Sequence, residues 1–263
     1  MSDAANDEAP RDYPLRVASW DEIPRLVHGF LGRAHGLPPG EFTLDDVRDA
    51  LVRAGETVRG VAAARQVHGT TVLAPEDAVA AVDESATVHV DDLPAGDAWV
   101  SASADLVLTI RTADCVPILL VAPRARAAAA VHAGWRGTLD GVIAATVTSL
   151  GSRYGALPAE ILAAIGPAIG GCCYTFGAEH RAAFLERFGP ESAGAWRTSE
   201  DDPEQTWLDL RFVCRVALEQ AGVSADAIVT IGPCTADQPD ALHSFRRDGA
   251  YAGRQLSYIG WRS

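Results

Sequence analysis

A series of short apolar segments in the middle of the chain constrains the fold more than any other feature of the sequence. Each segment is bounded by Asp, Pro or Gly, a pattern typical of β-strands. The segments span residues 71–74, 106–110, 116–121 and 127–131. Two further segments near the C-terminus, 228–231 and 256–259, have the same character. The sequence therefore predicts a core rich in β-sheet.

Amphipathic patterns bounded by capping residues predict helices among these strands. The first helix begins at the capping box Thr43-Leu44-Asp45-Asp46 and ends near Gly55. The second follows Thr138 as its N-cap and stops at Gly151. The predicted helices after the first cover residues 139–150, 178–188 and 209–221.

The chain shows no long linker, internal repeat or low-complexity segment, which favours one compact α/β (α+β) domain over residues 13–263. Residues 1–12 are predicted to be a disordered tail. No apolar stretch reaches the ~18 residues of a membrane span, and the N-terminus lacks the basic-then-apolar pattern of a secretory signal. We expect a cytoplasmic protein whose five cysteines are reduced thiols.

The basic residues are all arginine, 22 in number, and the chain contains no lysine. This excludes Schiff-base lysine chemistry, a phosphate-loop lysine and a lysine general base. The 35 acidic residues give a net charge of −13, which argues against nucleic acid as a partner because such binding requires basic patches. The cations of any binding site must therefore come from arginine, which stays charged and forms forked contacts with carboxylates or phosphates.

Three short segments place a possible metal ligand where a predicted strand meets a turn. They are Gln66-Val67-His68-Gly69, Thr112-Ala113-Asp114-Cys115 and Val131-His132-Ala133-Gly134-Trp135-Arg136-Gly137. Two imidazoles and one thiolate suit zinc, and three protein ligands leave a fourth position open, as in catalytic sites. Taken singly, Cys115 is more typical of a small buried apolar residue, and either histidine of an ordinary hydrogen-bonded one. His132 is followed by two glycines that flank Trp135 and Arg136 and then by a helix N-cap, a combination that packing alone does not require.

The segment after His132 has two interpretations that the sequence leaves equally open. Its glycines permit close backbone approach, and Arg136 adds a fork-shaped cation beside a helix start, so a phosphate or carboxylate can be bound there. Alternatively, the segment is a glycine-rich turn in which Arg136 pairs with a carboxylate and Trp135 packs.

A second arginine-rich segment lies near the C-terminus, where Arg246, Arg247 and Arg254 fall within nine residues. These guanidinium groups require anionic partners, although charged segments commonly form solvated or salt-bridged turns. Cys172 and Cys173 are adjacent, a spacing that rarely chelates one metal well, and we interpret the pair as structural.

Taken together, these segments resemble the family known as multicopper polyphenol oxidases or laccase-domain proteins, which is associated with zinc-dependent purine nucleoside phosphorylase and adenosine deaminase activity. The resemblance covers most of the chain, and its combination of motifs is highly specific. The other motifs that carry it are Ile165-Gly166-Pro167-Ala168-Ile169-Gly170, Leu208-Asp209-Leu210, Cys234-Thr235 and Ser244-Phe245-Arg246-Arg247-Asp248-Gly249. Residues 31–42 depart from the family pattern, because they lead quickly into the first helix without the family's longer glycine-rich turn.

The resemblance implies a layered sandwich of central β-sheets flanked by helices, with His68, Cys115 and His132 as catalytic zinc ligands. It implies phosphorolysis of adenosine, inosine, guanosine and methylthioadenosine to the base and ribose 1-phosphate, with deamination of adenosine alongside. We hypothesise that Arg136 and one of Arg246 or Arg247 supply positive charge, with Arg254 a further candidate for substrate or phosphate binding. Asp114 is expected to support the metal ligands without binding the metal itself.

Three other functions fit parts of the sequence. A copper-dependent polyphenol oxidase would use copper in place of zinc, but seven scattered histidines are few for a laccase. A metal-free cysteine hydrolase would use Cys115 as nucleophile with His132 or His68 as base, and some bacterial relatives are linked to peptidoglycan editing. A non-enzymatic protein would keep the motifs for nucleotide or partner recognition.

Overall fold

The computed structural model describes residues 13–77 and 88–263. The predicted tail, residues 1–12, lies outside the described part of the chain. The strands are β1 (Leu26–Phe30), β2 (Gly60–Ala62), β3 (Val72–Leu73), β4 (Ala98–Ser101), β5 (Leu106–Thr112), β6 (Val116–Ala122), β7 (Ala127–Ala133), β8 (Leu162–Ile165), β9 (Trp196–Thr198), β10 (Thr206–Leu208), β11 (Ile228–Thr230) and β12 (Gln255–Trp261). The α-helices are α1 (Leu44–Arg53), α2 (Trp135–Asp140), α3 (Val142–Tyr154), α4 (Arg181–Phe188), α5 (Leu210–Gln220) and α6 (Phe245–Asp248).

Two sheets form the centre of the molecule. One has the strand order β1-β12-β5-β2, and the other has the order β11-β8-β6-β7-β4-β3. Strands β6 and β7 form a long antiparallel pair, whereas β8 and β11 are parallel. A small antiparallel pair, β9 with β10, lies apart from both sheets. Strand β5 belongs to the four-stranded sheet and β6 to the six-stranded sheet, so the turn between them crosses from one sheet to the other.

Alternating side chains of β6 show how the layers pack. Ile118 and Leu120 face a core shared with α3 and α5. Leu119 and Val121 face the opposite way, into a core shared with the four-stranded sheet. The far side of the four-stranded sheet packs against the apolar face of α1. The predicted sandwich of central sheets flanked by helices is therefore confirmed, because each sheet buries both faces.

Helix α1 begins as the capping box predicts. Thr43 Oγ1 accepts a hydrogen bond from Asp46 N at 3.2 Å, and Asp46 Oδ2 accepts one from Thr43 N at 2.7 Å. The helix buries Leu44, Val47 and Leu51 on one face. Local sequence and tertiary packing agree here, which explains why the sequence identifies this helix.

The helix predicted over 139–150 is wrong at both ends. Thr138 is not an N-cap but a buried residue inside α2, with its hydroxyl 3.8 Å from Cys214 Sγ. Gly141 interrupts the helix with a φ of 101°, and α3 then continues through Gly151 to Tyr154. A glycine stops a helix where it adopts the left-handed conformation, and Gly155, with a φ of 70°, is the residue that does so.

Strand β1 has no clear apolar signature because it contains both a histidine and a glycine. The His28 ring is buried and accepts a hydrogen bond from Val17 N at 3.0 Å. Gly29 lies under the Tyr258 ring, where a Cβ atom would be 2.8 Å from the hydroxyl oxygen. Tertiary contacts that no local pattern contains therefore define this strand.

Within the described residues, no helix combines the length and apolar character needed to cross a bilayer.

Candidate functional site

Antiparallel pairing of β6 with β7 brings two of the candidate ligands together. Val116 at the start of β6 pairs with Ala133 at the end of β7. Cys115, immediately before β6, therefore lies beside Gly134, and His132 lies close by in β7. Strand β4 pairs with the other edge of β7, which sets Asp97 next to His132. The His132 N–H donates to the Asp97 carbonyl at 2.7 Å.

The third candidate, His68, is held in a turn that wraps around the Asp97 carboxylate. The backbone N–H groups of Val67, His68 and Gly69 donate to this carboxylate at 3.2, 2.9 and 2.7 Å. His68 has a φ of 61°, a left-handed conformation that is costly for a non-glycine residue. The three hydrogen bonds offset that cost, so the buried Asp97 determines where His68 points.

The donor atoms of His68, Cys115 and His132 lie within 4.8 Å of one another. His68 Nε2 is 3.8 Å from Cys115 Sγ, and the two imidazole rings meet edge to face. Zinc bonds of about 2.3 Å to sulfur and about 2.0–2.1 Å to nitrogen place tetrahedral ligands roughly 3.5 Å apart. His132 Nδ1 is 2.8 Å from Asp97 Oδ1, which leaves Nε2 available to a metal. The three side chains therefore fit one zinc ion with an open coordination position.

Cys115 and His132 each favour the charged form of the other in the metal-free protein. Burial opposes ionisation of the thiol, but the charge and hydrogen bond of His132 lower the pKa of Cys115 to about 6. Burial also opposes protonation of the imidazole, but Cys115 and Asp97 raise the pKa of His132 to about 9. The thiolate that a metal ligand or a nucleophile requires is thus already favoured.

The glycines after His132 make room for protein atoms. A Cβ atom on Gly134 would lie 2.6 Å from His68 Cδ2, and one on Gly137 would lie 2.8 Å from the Gly69 carbonyl oxygen. Arg136 is exposed, with its guanidinium 4.6 Å from the centre of the Trp135 ring. Of the two interpretations of this segment, the geometry favours packing for the glycines.

Asp114 connects the ligand turn to the C-terminal arginine segment. It has a φ of 91°, in the turn between β5 and β6. Its carboxylate accepts hydrogen bonds from Thr235 Oγ1 and from Arg246 N, both at 2.6 Å. Because Asp114 immediately precedes Cys115, its carboxylate holds α6 and the loop around Thr235 close to this candidate ligand.

A cavity of about 500 Å³ opens in front of the three candidate ligands. Its lining also includes Arg111, Arg254 and Arg246 and the aromatic side chains of Phe42, Tyr174 and Phe245. Neither Arg136 nor Arg247 is among the described residues that line it. Arg247 instead binds both oxygens of Asp248 at 2.7 Å and donates to the carbonyl groups of Thr235, Ala236 and Leu242.

Arg111 is the cavity's most buried cation. Its Nη2 donates to the Ala64 carbonyl at 2.7 Å, while its buried Nη1 has no hydrogen-bond partner among the described residues. Burial and the neighbouring Arg254 lower the pKa of Arg111 to about 10, so it remains charged at neutral pH. A buried guanidinium with an unused donor is a natural point of attachment for an anion.

Sequence reasoning missed two charged residues of this site, Asp97 and Arg111. Asp97 follows a glycine just before an alanine-initiated strand, and Arg111 lies inside a strand of otherwise apolar and hydroxyl residues. A charged residue inside a strand that buries both faces is the signal that identifies Arg111, since such a residue is rarely buried without a partner. Asp97 has no comparable signal, because its partners come from two separate segments.

The fold and the three-donor cavity define a layered α/β protein with a candidate metal centre at one edge of its six-stranded sheet. A family model described as multi-copper polyphenol oxidoreductase laccase matches residues 44–262. The chain therefore belongs to this laccase-domain family, in agreement with the resemblance of its motifs.

Two bacterial relatives are similar to this chain over most of their length. A protein from Geobacillus stearothermophilus named purine nucleoside phosphorylase YlmD is 37% identical over 199 residues, covering 75% of this chain and 70% of that protein. A purine nucleoside phosphorylase from Deinococcus radiodurans is 33% identical over 249 residues, covering 89% of each.

Solved structures show the same fold. The Bacillus licheniformis hypothetical protein YfiH superposes with a TM-score of 0.82 at 26% identity, covering 98% of this chain and all of that one. YlmD from Geobacillus stearothermophilus superposes with a TM-score of 0.77 at 31% identity, covering 92% and 93% of the two chains.

Proposed function

We propose that this protein is a zinc-dependent purine nucleoside phosphorylase. Its substrates would be adenosine, inosine, guanosine and methylthioadenosine, cleaved to the base and ribose 1-phosphate, and it would also deaminate adenosine. The names of the relatives support the reaction class. The proposal places the protein in the cytoplasm, with nucleosides and phosphate as its partners and neither nucleic acid nor membrane among them.

One observation carries the proposal: the three-donor site and Arg111, a buried guanidinium with one unpartnered donor, line the same cavity. Phosphorolysis needs a bound phosphate, a purine and a group that stabilises charge where the glycosidic bond breaks. Arg111 and Arg254 supply the phosphate subsite, since the Nη1 donor of Arg111 is unused and Arg254 lies nearby. Phe42, Tyr174 and Phe245 supply apolar surface for a purine and its ribose.

The remaining residues position these groups. His68, Cys115 and His132 would hold zinc, which supplies Lewis acidity at its open coordination position. Asp97 fixes the orientation of the His132 ring. Asp114 holds Arg246 at the cavity wall, where the Arg246 guanidinium donates to Thr175 Oγ1 at 2.5 Å. In deamination, water rather than phosphate would be the nucleophile in the same cavity.

The other arginines predicted from the sequence have different surroundings. Arg246 and Arg254 line the cavity and are retained as binding residues. Arg136 is exposed beside Trp135, so a role in binding would require its side chain to turn toward the substrate. Arg247 is occupied by Asp248 and by backbone carbonyl groups, and we propose that it supports α6 rather than phosphate.

A cysteine hydrolase that edits peptidoglycan precursors is a second candidate, and one observation favours it. Cys115 Sγ lies within 4.8 Å of the His132 ring, whose Nδ1 is oriented by the Asp97 carboxylate, and His132 lowers the pKa of the Cys115 thiol. This arrangement is that of an activated cysteine nucleophile. A copper oxidase has less support, because the two candidate metal groups within the described residues contain no histidine beyond His68 and His132.

A product assay separates these functions. Inosine and adenosine are incubated with and without phosphate, using protein of measured zinc and copper content. Phosphate-dependent release of hypoxanthine and adenine is expected, with inosine formed from adenosine as a second product. Full activity in chelator with a covalent adduct on Cys115 would establish the hydrolase instead, and bound copper with oxygen uptake on a phenol would establish the oxidase. No turnover of any purine nucleoside by zinc-loaded protein would indicate a binding protein.

The phosphate subsite has its own test in Arg111→Met, which keeps much of the side chain's apolar length. A hydrogen bond to a charged group is worth about 1.5–3 kcal/mol, or roughly 10–100-fold in affinity. The KM for phosphate should therefore rise by about that factor, with a smaller change in the KM for inosine. Arg124→Met is the matched control, because Arg124 is an exposed arginine paired with Glu160. Equal effects in both variants would contradict the assignment.

A further inference from the structure

A second group of thiols lies outside the cavity and is not used by the proposed function. Cys172, Cys173, Cys234 and Asp237 each offer one donor atom, and these atoms lie within 4.8 Å of one another. We propose that these four residues form a structural zinc site. The inference goes beyond the proposed function and does not depend on it.

The fold explains why residues far apart in sequence meet here. Strands β8 and β11 are parallel neighbours, so the segments that follow them leave the sheet at the same edge. Ala168 and Cys234 continue the parallel pairing, and Thr235 N donates to the Ala168 carbonyl at 3.1 Å. Cys172 and Cys173 follow the first strand, whereas Cys234 and Asp237 follow the second.

The two adjacent cysteines face the same carboxylate. Cys172 Sγ is 3.2 Å from Asp237 Oδ2, and Cys173 Sγ is 2.8 Å from Asp237 Oδ1. The turn is tight, because the N–H groups of Cys173 and Tyr174 both donate to the Gly170 carbonyl. The spacing that argues against chelation in the sequence is therefore overcome by the backbone, which brings both sulfur atoms to one side.

Two neighbouring groups would help to stabilise the negative charge of the ligands in an occupied site. Gly170 N donates to Cys234 Sγ at 3.2 Å, a hydrogen bond that stabilises a thiolate. A Cβ atom on Gly170 would lie 3.1 Å from both Cys172 Sγ and Arg211 Nη2, so the Arg211 guanidinium is near enough to offset excess negative charge. Cys234 is buried while Cys172 is exposed, which gives the ion a route of entry.

Three sulfur ligands and one oxygen ligand make a closed set, which is typical of a structural rather than a catalytic zinc site. The site would connect a segment that lines the cavity to a second segment that contacts one of the lining residues. Tyr174 follows Cys173 and lines the cavity, and Thr235 follows Cys234 and donates to Asp114. Zinc at this position would therefore stiffen one wall of the cavity without contacting the substrate.

Cobalt binding to the full-length Cys115→Ala variant tests the proposal, because that variant removes the thiolate of the first site. Reduced, metal-free protein is titrated with Co²⁺ and then with Zn²⁺, and absorption is followed in the near-ultraviolet thiolate-to-cobalt band. The band is expected to saturate at one equivalent and to disappear when zinc displaces cobalt. In Cys115→Ala/Cys234→Ser the band should be lost, whereas it should be unchanged in Cys115→Ala/Cys214→Ser, since Cys214 lies elsewhere in the core.

Asp237→Asn provides a second test that does not require replacing a buried residue, because Asp237 is exposed. In the Cys115→Ala background it should weaken cobalt binding by about tenfold or more, because metal affinity depends on the ionised ligand, and the circular dichroism spectrum should be unchanged. No thiolate-to-cobalt band in folded Cys115→Ala would overturn the proposal. A band that survives Cys234→Ser, or a Cys172–Cys173 disulfide in protein that binds no metal, would overturn it as well.

Discussion

A single carboxylate, that of Asp97, positions two of the three candidate metal ligands. It accepts the backbone hydrogen bonds that hold His68 in its left-handed conformation, and it forms a hydrogen bond with Nδ1 of His132. Burial opposes its ionisation, but hydrogen bonds from His132 and Gly69 hold the pKa of Asp97 below its ordinary value. The geometry of the candidate metal site therefore depends on a residue that is not one of its three candidate ligands.

Replacing Asp97 with Asn should separate this positioning role from general stability. The amide is nearly isosteric but uncharged, so it stabilises the His132 ring and the turn around His68 less well. Residues that orient metal-bound histidines typically contribute 10–100-fold to metal affinity, and we expect a loss of about that size. Zinc affinity measured by competition with a chelating dye tests this. Asp92→Asn, at an exposed position, is the control, and unchanged zinc affinity in Asp97→Asn would contradict the assignment.

At the level of elements, the site exists because neighbouring strands end together. Strands β4, β6 and β7 pair so that Asp97, Cys115 and His132 meet at one edge of the six-stranded sheet. The chain then turns into α2 through Gly134, which has no space for a side chain because the His68 ring lies against it. Sheet register and one glycine together therefore set the distance between the candidate ligands.

Replacing Gly134 with Ala should damage the metal site more than the fold. The added Cβ would lie 2.6 Å from His68 Cδ2 and 3.3 Å from Cys115 Sγ, so the His68 ring must move. We expect at least about a tenfold loss of zinc affinity, as for other disturbances of ligand orientation. Gly155→Ala is a matched control, since its φ of 70° costs a side chain about 1 kcal/mol. That variant should lose stability in urea unfolding and keep its zinc; the reverse pattern would refute the steric argument.

Local sequence patterns identify those helices and strands whose structure is determined by residues close together in the chain. The capping box at Thr43 and the apolar strands β5, β6 and β7 are of this kind, and the motifs around His68, Cys115 and His132 meet as the chemistry of their side chains suggests. Local patterns fail where residues distant in the sequence determine the structure. The break at Gly141 is one example, and the position of Asp97, whose partners come from β7 and from the turn before β3, is another.

At the scale of the whole molecule, the helices and the two sheets pack around cores that bury several polar groups. These buried polar groups determine how the stability of the fold responds to acid. His243 is one of them, with its backbone joined to the Gln255 side chain by two hydrogen bonds of 2.9 Å. Burial, the Arg33 guanidinium and Arg254 lower the pKa of His243 to about 4, against an opposing effect of Asp248. The folded protein therefore keeps this ring neutral in mildly acidic solution.

This shift predicts a loss of stability on acidification. Between about pH 6.5, where an unfolded histidine titrates, and about pH 4, the unfolded chain binds a proton that the folded chain does not, so the free energy of unfolding falls as pH decreases. His243→Gln should reduce this fall, measured by urea unfolding at several pH values across that range. Part of the slope should remain, since burial also lowers the pKa of His28. An identical slope in the variant and the wild type would contradict the prediction.

The Cys115→Ala variant is the most direct test of zinc-dependent phosphorolysis, with bound zinc and phosphate-dependent release of hypoxanthine from inosine measured on the same sample. The variant should lose one zinc per chain and nearly all phosphorolysis, while its circular dichroism spectrum remains that of the wild type and its unfolding midpoint remains close to that of the metal-free wild type. A variant that lacks this zinc and still cleaves inosine at the wild-type rate would contradict this prediction.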